Sequence, residues 1–268
     1  MSKDWTKIRA KVKDFIESEI YPKENDLAQG TPESRELLGS LMKLAKEEKI
    51  WALGHPEDIG GGGMPFMEYV YVNEVIGRSS FAMVALGTHS LQDSIMLREF
   101  ASAQWRDKYL EPLVQGEIFP SFGMTEPDVA SSDPTQLQTT AILDNGTWKI
   151  NGRKWFTTGA ARAAYTTVMC RTEVDAASHG AFSMIIVPTD NPGYKIIRET
   201  PVLGINGGHY EVEYDNVEVP EENLLGPRGQ GFIIAQKRLG PGRIFHCMRW
   251  LGQAPRPDDL FCARVHER

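Results

Sequence analysis

Cysteine is scarce in this 268-residue chain. Cys170, Cys247 and Cys262 are an odd number without CxxC spacing, which excludes a disulfide framework and a paired-cysteine zinc site and fits a reducing compartment. An excess of positive charge is also missing: with 29 lysines and arginines against 36 acidic residues the formal net charge is -7, leaving no basic footprint to displace counterions from phosphates, so nucleic acid is not an expected partner. No apolar run approaches the roughly twenty residues of a membrane-spanning helix. The start, MSKDWTKIRAKVKDF, mixes both charge signs and lacks the apolar core of a signal peptide and the acid-poor composition of a transit peptide. The expected location is therefore the cytoplasm, with mitochondrion or peroxisome as the counterparts in a eukaryote. The six histidines, His55, His89, His179, His209, His246 and His266, show no HExxH or other ligand spacing, so no metal site is expected. GxSxG is missing too, which leaves serine nucleophile chemistry without an anchor.

What is present is an ordinary globular composition, 41% hydrophobic and 24% charged, long enough for one large domain or two smaller ones. Trp5, Ile8, Val12, Phe15, Ile16 and Ile20 recur at helical spacing, as do Leu37, Leu38, Leu41, Leu44 and Ala45, and then Tyr69, Val72, Val75 and Ile76. Further helices are expected at 91–100 and 105–114, making residues 1–117 an all-helical domain. From 118 to 228 the pattern becomes that of strands. TTAILDNGTWKING holds two strand-like runs around Asn145 and Gly146, which favour the positive φ of a tight hairpin. FSMIIVP is a compact apolar strand, and YEVEYDNVEVP alternates Val212, Tyr214, Val217 and Val219 with charge. A middle antiparallel β domain follows, and 229–268 returns to helix as the beginning of a third, helical domain. Pro241, Pro255 and Pro257 should interrupt that last helix. The fold class is α+β.

Two stretches could carry chemistry. The GGGG run at 60–63 opens onto a helix and could cradle a phosphate, but it lacks the preceding strand of a dinucleotide fingerprint and the GK[ST] of a phosphate loop, so a plain turn is expected. The other is FGMTEPDVASSD at 122–133 taken with INGRKWFTTGA at 150–160. Hydroxyls of Thr125, Ser131 and Ser132, with Trp155, Phe156, Thr157 and Thr158, suit a flat heteroaromatic ring that needs an apolar face and neutral donors at its edge. On spacing alone another reading stays open: two sandwich-core aromatics and a serine turn or cap.

MTEPDVASSD, INGRKWFTTGA and LLGPRGQGF together resemble, in order and spacing, the signature segments of the FAD-dependent acyl-CoA dehydrogenases, and the resemblance covers nearly the whole chain. It implies FAD held among an N-terminal helical domain, a middle β domain and a C-terminal helical bundle. It implies a reaction in which an α proton is removed from an acyl-CoA while a β hydride passes to the flavin, giving a trans-2-enoyl-CoA. By the resemblance Phe122, Gly123, Met124 and Thr125, with Ser131 and Ser132, line the flavin edge. Thr158 matches the family's threonine that hydrogen-bonds that edge, and Phe156 stands where the family commonly has tryptophan, keeping apolar contact but losing the indole donor. Gly240, Pro241, Gly242 and Arg243 match the segment that contacts the CoA-thioester, where one of the serines also lies. Arg268 matches an arginine reaching the FAD pyrophosphate of a neighbouring subunit in a homodimer or homotetramer.

The family's general base is usually a glutamate farther along the C-terminal domain, and in a minority it occupies the position matching Gly242, which cannot take a proton. Asp258, Asp259 and Glu267 match neither position. No catalytic residue is therefore assigned, and a chain lacking most of its C-terminal domain is the expectation. An electron-transfer flavoprotein is the implied acceptor. An acyl-CoA oxidase of the same superfamily, or a non-catalytic remnant that binds flavin or a CoA ester, are the alternatives.

Overall fold

The computed structural model describes residues 4–173, 175, 176, 178–204 and 206–268. They pack as two compact units, one of residues up to Gln92 with Leu239–Arg268, the other Asp93–Arg238. These limits differ from the expected divisions after residues 117 and 228. Met96, Leu97, Trp105, Tyr109 and Leu113 belong to one apolar cluster with the sheet, so the helices that carry them pack with the strands that follow.

The first unit is helical. Asp4 caps α1 (Trp5–Phe15), accepting the Lys7 N–H at 3.3 Å, and the chain stays helical through Ile16–Ile20. After the short α2 (Glu24–Leu27), Thr31 caps α3 (Pro32–Glu47), which starts on Pro32 where a missing N–H is harmless. Next come α4 (Phe66–Ile76) and α5 (Ala82–Ala85). Of the apolar stripes read from the sequence, Val12, Phe15, Ile16, Ile20, Leu41, Ala45, Tyr69, Val72, Val75 and Ile76 are buried, while Trp5, Ile8, Leu37, Leu38 and Leu44 are half-buried. In GGGG the Gly60, Gly61, Gly62 and Gly63 amides donate to the carbonyls of Glu57, Pro56, Ala52 and His55. A Cβ on Gly61 would run into the His55 carbonyl. The glycines exist to fold a tight turn, and their donors are spent inside it.

In the second unit, α6 (Leu91–Phe100), α7 (Ala103–Trp105) and α8 (Glu111–Gln115) precede an eight-stranded sheet. Its strands are β1 (Pro120–Gly123), β2 (Thr140–Asp144), β3 (Thr147–Thr158), β4 (Tyr165–Arg171), β5 (Phe182–Pro188), β6 (Tyr194–Glu199), β7 (His209–Pro220) and β8 (Leu224–Leu225), in the order β6-β7-β3-β2-β4-β5-β8 with β1 beside β4. The sheet is mixed, which corrects the antiparallel expectation: β1 and β2 both run parallel to β4. A parallel neighbour needs a crossover connection, so adjacent runs in the sequence could not reveal it. Asn145 (φ 49°) and Gly146 (φ 77°) do turn the expected two-residue hairpin, Asp144 pairing with Thr147. β5 is apolar but for Ser183, which is bonded to Thr172, because both its faces are covered: Phe182, Met184 and Ile186 join the cluster shared with the helices, while Ile185 and Val187 join a second one around Trp148, Val212 and Tyr214.

The last helices also correct an expectation. Pro241 lies within a single 23-residue helix, α9 (Gly231–Gln253), which loses one donor there and continues; the break comes at Ala254, and α10 (Pro255–His266) begins on the next proline. Among the described residues no helix is long and apolar enough to cross a membrane.

Candidate functional site

The far end of β3 departs from regular pairing. Between Lys154, opposite Val212, and Thr157, opposite Tyr210, β3 advances three residues while β7 advances two, so one residue is extra. Phe156 takes it up with a φ of 48°, a left-handed conformation costly for a bulky side chain. The bulge resets which side chains face out. Lys154 and Thr157 are buried, Trp155 is half-buried, and Phe156 and Thr158 are exposed, Phe156 at 43%. The Trp155 and Phe156 rings meet edge-on at 4.9 Å, and the His209 ring lies 6.4 Å from that of Phe156. An aromatic left 43% exposed while held in a strained conformation points to a surface kept for a partner.

The loop 122–133 is sewn to this end of β3. The Thr125 hydroxyl donates to the Trp155 carbonyl at 2.8 Å, and the Trp155 N–H returns a bond to the Thr125 carbonyl at 3.0 Å. The Lys154 ammonium, fully buried, donates to the Met124 carbonyl at 2.9 Å and to Glu126 Oε1 at 2.7 Å. The Glu126 carboxylate also accepts the Gln138 and Thr139 amides at 2.7 and 2.9 Å, so both charges are compensated. Burial opposes the Glu126 charge, yet Lys154 and these donors hold the carboxyl below the usual carboxylate range. Burial pulls Lys154 below the usual lysine range, and Glu126 opposes that. Ser131 closes the loop on itself, its hydroxyl accepting the Glu126 N–H at 2.8 Å and donating to the Glu126 carbonyl at 2.9 Å.

The two motifs singled out in the sequence therefore form one feature. Phe122 and Gly123 sit on β1, where the Arg238 guanidinium lies 4.2 Å from the Phe122 ring centroid and a Cβ on Gly123 would press on the Tyr214 hydroxyl at 3.1 Å. Met124 packs against the cluster shared with the helices, and Ser132 is exposed. Thr157 is separated from the rest: its side chain is fully buried and its hydroxyl meets no hydrogen-bond partner among the described residues. The expected hydroxyl cluster loses that member because the bulge puts Thr157 on the inner face. The reading of Trp155 and Phe156 as plain core aromatics fails on the exposure of Phe156. Residues 240–243 and Arg268 belong to the other compact unit.

Three participants were not singled out beforehand. Glu126 and Lys154 are 28 positions apart in the chain, with no local signal that they pair. His209 stood among six scattered histidines, yet β7 places it opposite Thr158, with Nδ1 2.8 Å from the Thr158 hydroxyl. An exposed phenyl and an exposed threonine whose hydroxyl meets His209, separated by one buried uncharged residue, offer an apolar face and a neutral polar edge to a flat ring.

The family model for the acyl-CoA dehydrogenase N-terminal domain matches residues 2–117, and that for the acyl-CoA dehydrogenase middle domain matches residues 121–217. The probable acyl-CoA dehydrogenase FadE2 of Mycobacterium tuberculosis is 41% identical over 97% of this chain and 67% of its own length. Acyl-CoA dehydrogenase family member 11 of Gallus gallus is 36% identical over 100% of this chain, which spans only 36% of that relative. The structure of an acyl-CoA dehydrogenase complexed with FAD from Bacillus anthracis superposes with a TM-score of 0.81 at 29% identity, covering 100% of this chain and 46% of that one.

Proposed function

This chain belongs to the acyl-CoA dehydrogenase family, and from that premise we propose that its β domain seats FAD for the α,β-dehydrogenation of an acyl-CoA. The observation that carries this reading is the bulge that turns Phe156 outward beside Thr158. Bound FAD would supply the two-electron acceptor for the departing hydride.

Phe156, with Trp155 behind it, gives the ring an apolar surface and keeps water off it; Thr158 and the exposed Ser132 give neutral hydroxyls at its edge. Thr125 and Ser131 act through the loop, holding Phe122, Gly123 and Met124 in place by the bonds to Trp155 and Glu126. Residues 240–243 serve the CoA-thioester, with Arg243 as its cationic contact, and Arg268 serves the FAD pyrophosphate of a second copy. The segments 1–117, 118–228 and 229–268 correspond to the family's three domains, the protein assembles as a homodimer or homotetramer, and an electron-transfer flavoprotein takes the electrons.

A second reading is favoured by one observation. At Gly242, where a minority of the family keeps the general base, there is no carboxylate, and a Cβ there would meet only the movable end of the Gln92 side chain, at 2.5 Å. This favours binding of FAD and a CoA ester without turnover. One experiment separates the readings: the purified chain is loaded with FAD and mixed anaerobically with acyl-CoA. Loss of the flavin's visible absorbance supports dehydrogenation; a perturbed but unbleached spectrum supports binding alone. A folded chain that stays colourless with excess FAD ends both.

A further inference from the structure

Thr158 is fixed from three sides. Its carbonyl accepts the Ser121 hydroxyl at 2.8 Å, its backbone pairs with His209 across β3 and β7, and its own hydroxyl meets His209 Nδ1 at 2.8 Å. His209 is fixed in turn: its carbonyl accepts the Thr200 N–H at 2.8 Å, and the preceding Gly208 amide donates to Glu199 at 2.9 Å. The imidazole is half-buried and the threonine exposed. A neutral imidazole nitrogen is either a donor or an acceptor, whereas a hydroxyl can be both. The tautomer of His209 therefore decides what Thr158 still offers outward. With the hydrogen on Nε2, Nδ1 can only accept, so the Thr158 hydrogen is committed to it and the outward side of Thr158 is an acceptor.

We propose that His209, in its Nε2–H tautomer, is a positioning residue which holds Thr158 as a hydrogen-bond acceptor facing the flavin edge and thereby favours the reduced flavin. This role for His209 presupposes the bound FAD proposed above. Reduction adds ring N–H groups, which an acceptor stabilises, while the oxidised ring carries bare nitrogens that prefer a donor. Without His209 the Thr158 hydroxyl turns freely and donates to the oxidised ring.

The test is the midpoint potential of the bound flavin, measured by spectroelectrochemical titration, with FAD affinity recorded alongside. His209→Leu lowers the midpoint by about 30 mV, which for a two-electron couple is about tenfold in the oxidised-to-reduced ratio at fixed potential. His209→Asn, whose amide oxygen replaces Nδ1 as acceptor, restores the unaltered value. Thr158→Ala, a truncation of an exposed side chain, lowers the midpoint by itself, and adding His209→Leu to it changes nothing further. An unchanged midpoint in His209→Leu overturns the proposal, as does a shift of equal size with and without Thr158, because His209 would then not act through that hydroxyl. If the unaltered chain holds no FAD, the functional reading falls and this inference with it; if it holds FAD with equal potentials throughout, the inference alone falls.

Discussion

Residues 147–150 and 154–158 lie on the same strand and against the same neighbour, β7, yet they have opposite tasks. In the first stretch the pairing is regular: Trp148 and Ile150 point into the core and Thr147 and Lys149 do not. In the second, the alternation carries Lys154 inward like Trp148 and Ile150, and one added residue then breaks it, sending Thr157 inward and Phe156 outward. The first arrangement maximises apolar burial. The second gives some of that up, adds a strained φ at Phe156 and needs a buried ion pair to keep the neighbouring loop in place. A strand can thus be structural at one end and a presenting surface at the other, and the device that converts it is a single inserted position.

The sharpest way to break this contrast is at the ion pair. Lys154→Met leaves the Glu126 carboxylate buried with amide donors only, and it lowers stability in urea unfolding by about 4 kcal/mol. Adding Glu126→Gln removes the uncompensated charge and recovers most of that loss. Were the single and double variants equally unstable, the pair would not be what holds the loop.

At the regular end, Trp148→Ala empties a fully buried site and costs about 3 kcal/mol, with the folded fraction binding FAD as before. At the presenting end the outcomes reverse. Phe156→Ala reduces FAD affinity about tenfold to a hundredfold, or about 1.4–2.8 kcal/mol, in an equilibrium titration while stability barely moves. Comparing it with Phe156→Gly isolates the backbone, since both lose the ring and only glycine relieves the left-handed φ: the glycine variant is more stable by about 1 kcal/mol. Equal stabilities would show that the bulge stores no strain.

A smaller effect comes from acid. Glu126 has a folded-state pKa below its unfolded one, so its contribution is fully present above the unfolded carboxylate value of about 4.3 and is lost as pH falls through the folded value. Amide exchange at Gln138 and Thr139, which donate to Glu126, should accelerate below that pH while the Trp148 indole, bonded to the Glu221 carbonyl, stays protected. Simultaneous loss at both places would erase the distinction between the two ends of β3.

Much of this was readable beforehand where the physics is local. The helical stripes of the first unit and the hairpin at Asn145 and Gly146 follow from periodicity and backbone preference within a few residues, and each is where the sequence puts it. The apolar run of β5 announced a strand, and the structure adds that both its faces are covered. The two motifs at 122–133 and 150–160 were recognisable as a set, though nothing in either says that Lys154 reaches Met124 and Glu126. His209 was invisible as a participant, because only the pairing of β7 with β3 brings it opposite Thr158. The parallel neighbours of β4 escaped for the same reason.

The sequence by itself determined part of the inventory: the helical stripes, the hairpin and two further strand runs, that the glycines at 60–63 can turn tightly, and that an aromatic and hydroxyl set follows the hairpin; the strands at 120–123, 165–171 and 194–199 were not read from it. Only the tertiary structure decided direction. Side chains on a strand alternate with a period of two, so one extra residue between Lys154 and Thr157 exchanges inside for outside, and the need for that residue is visible only in the strand alongside. The GGGG turn keeps its donors to itself because the chain folds back there and brings the carbonyls of Ala52, His55, Pro56 and Glu57 within reach of the glycine amides.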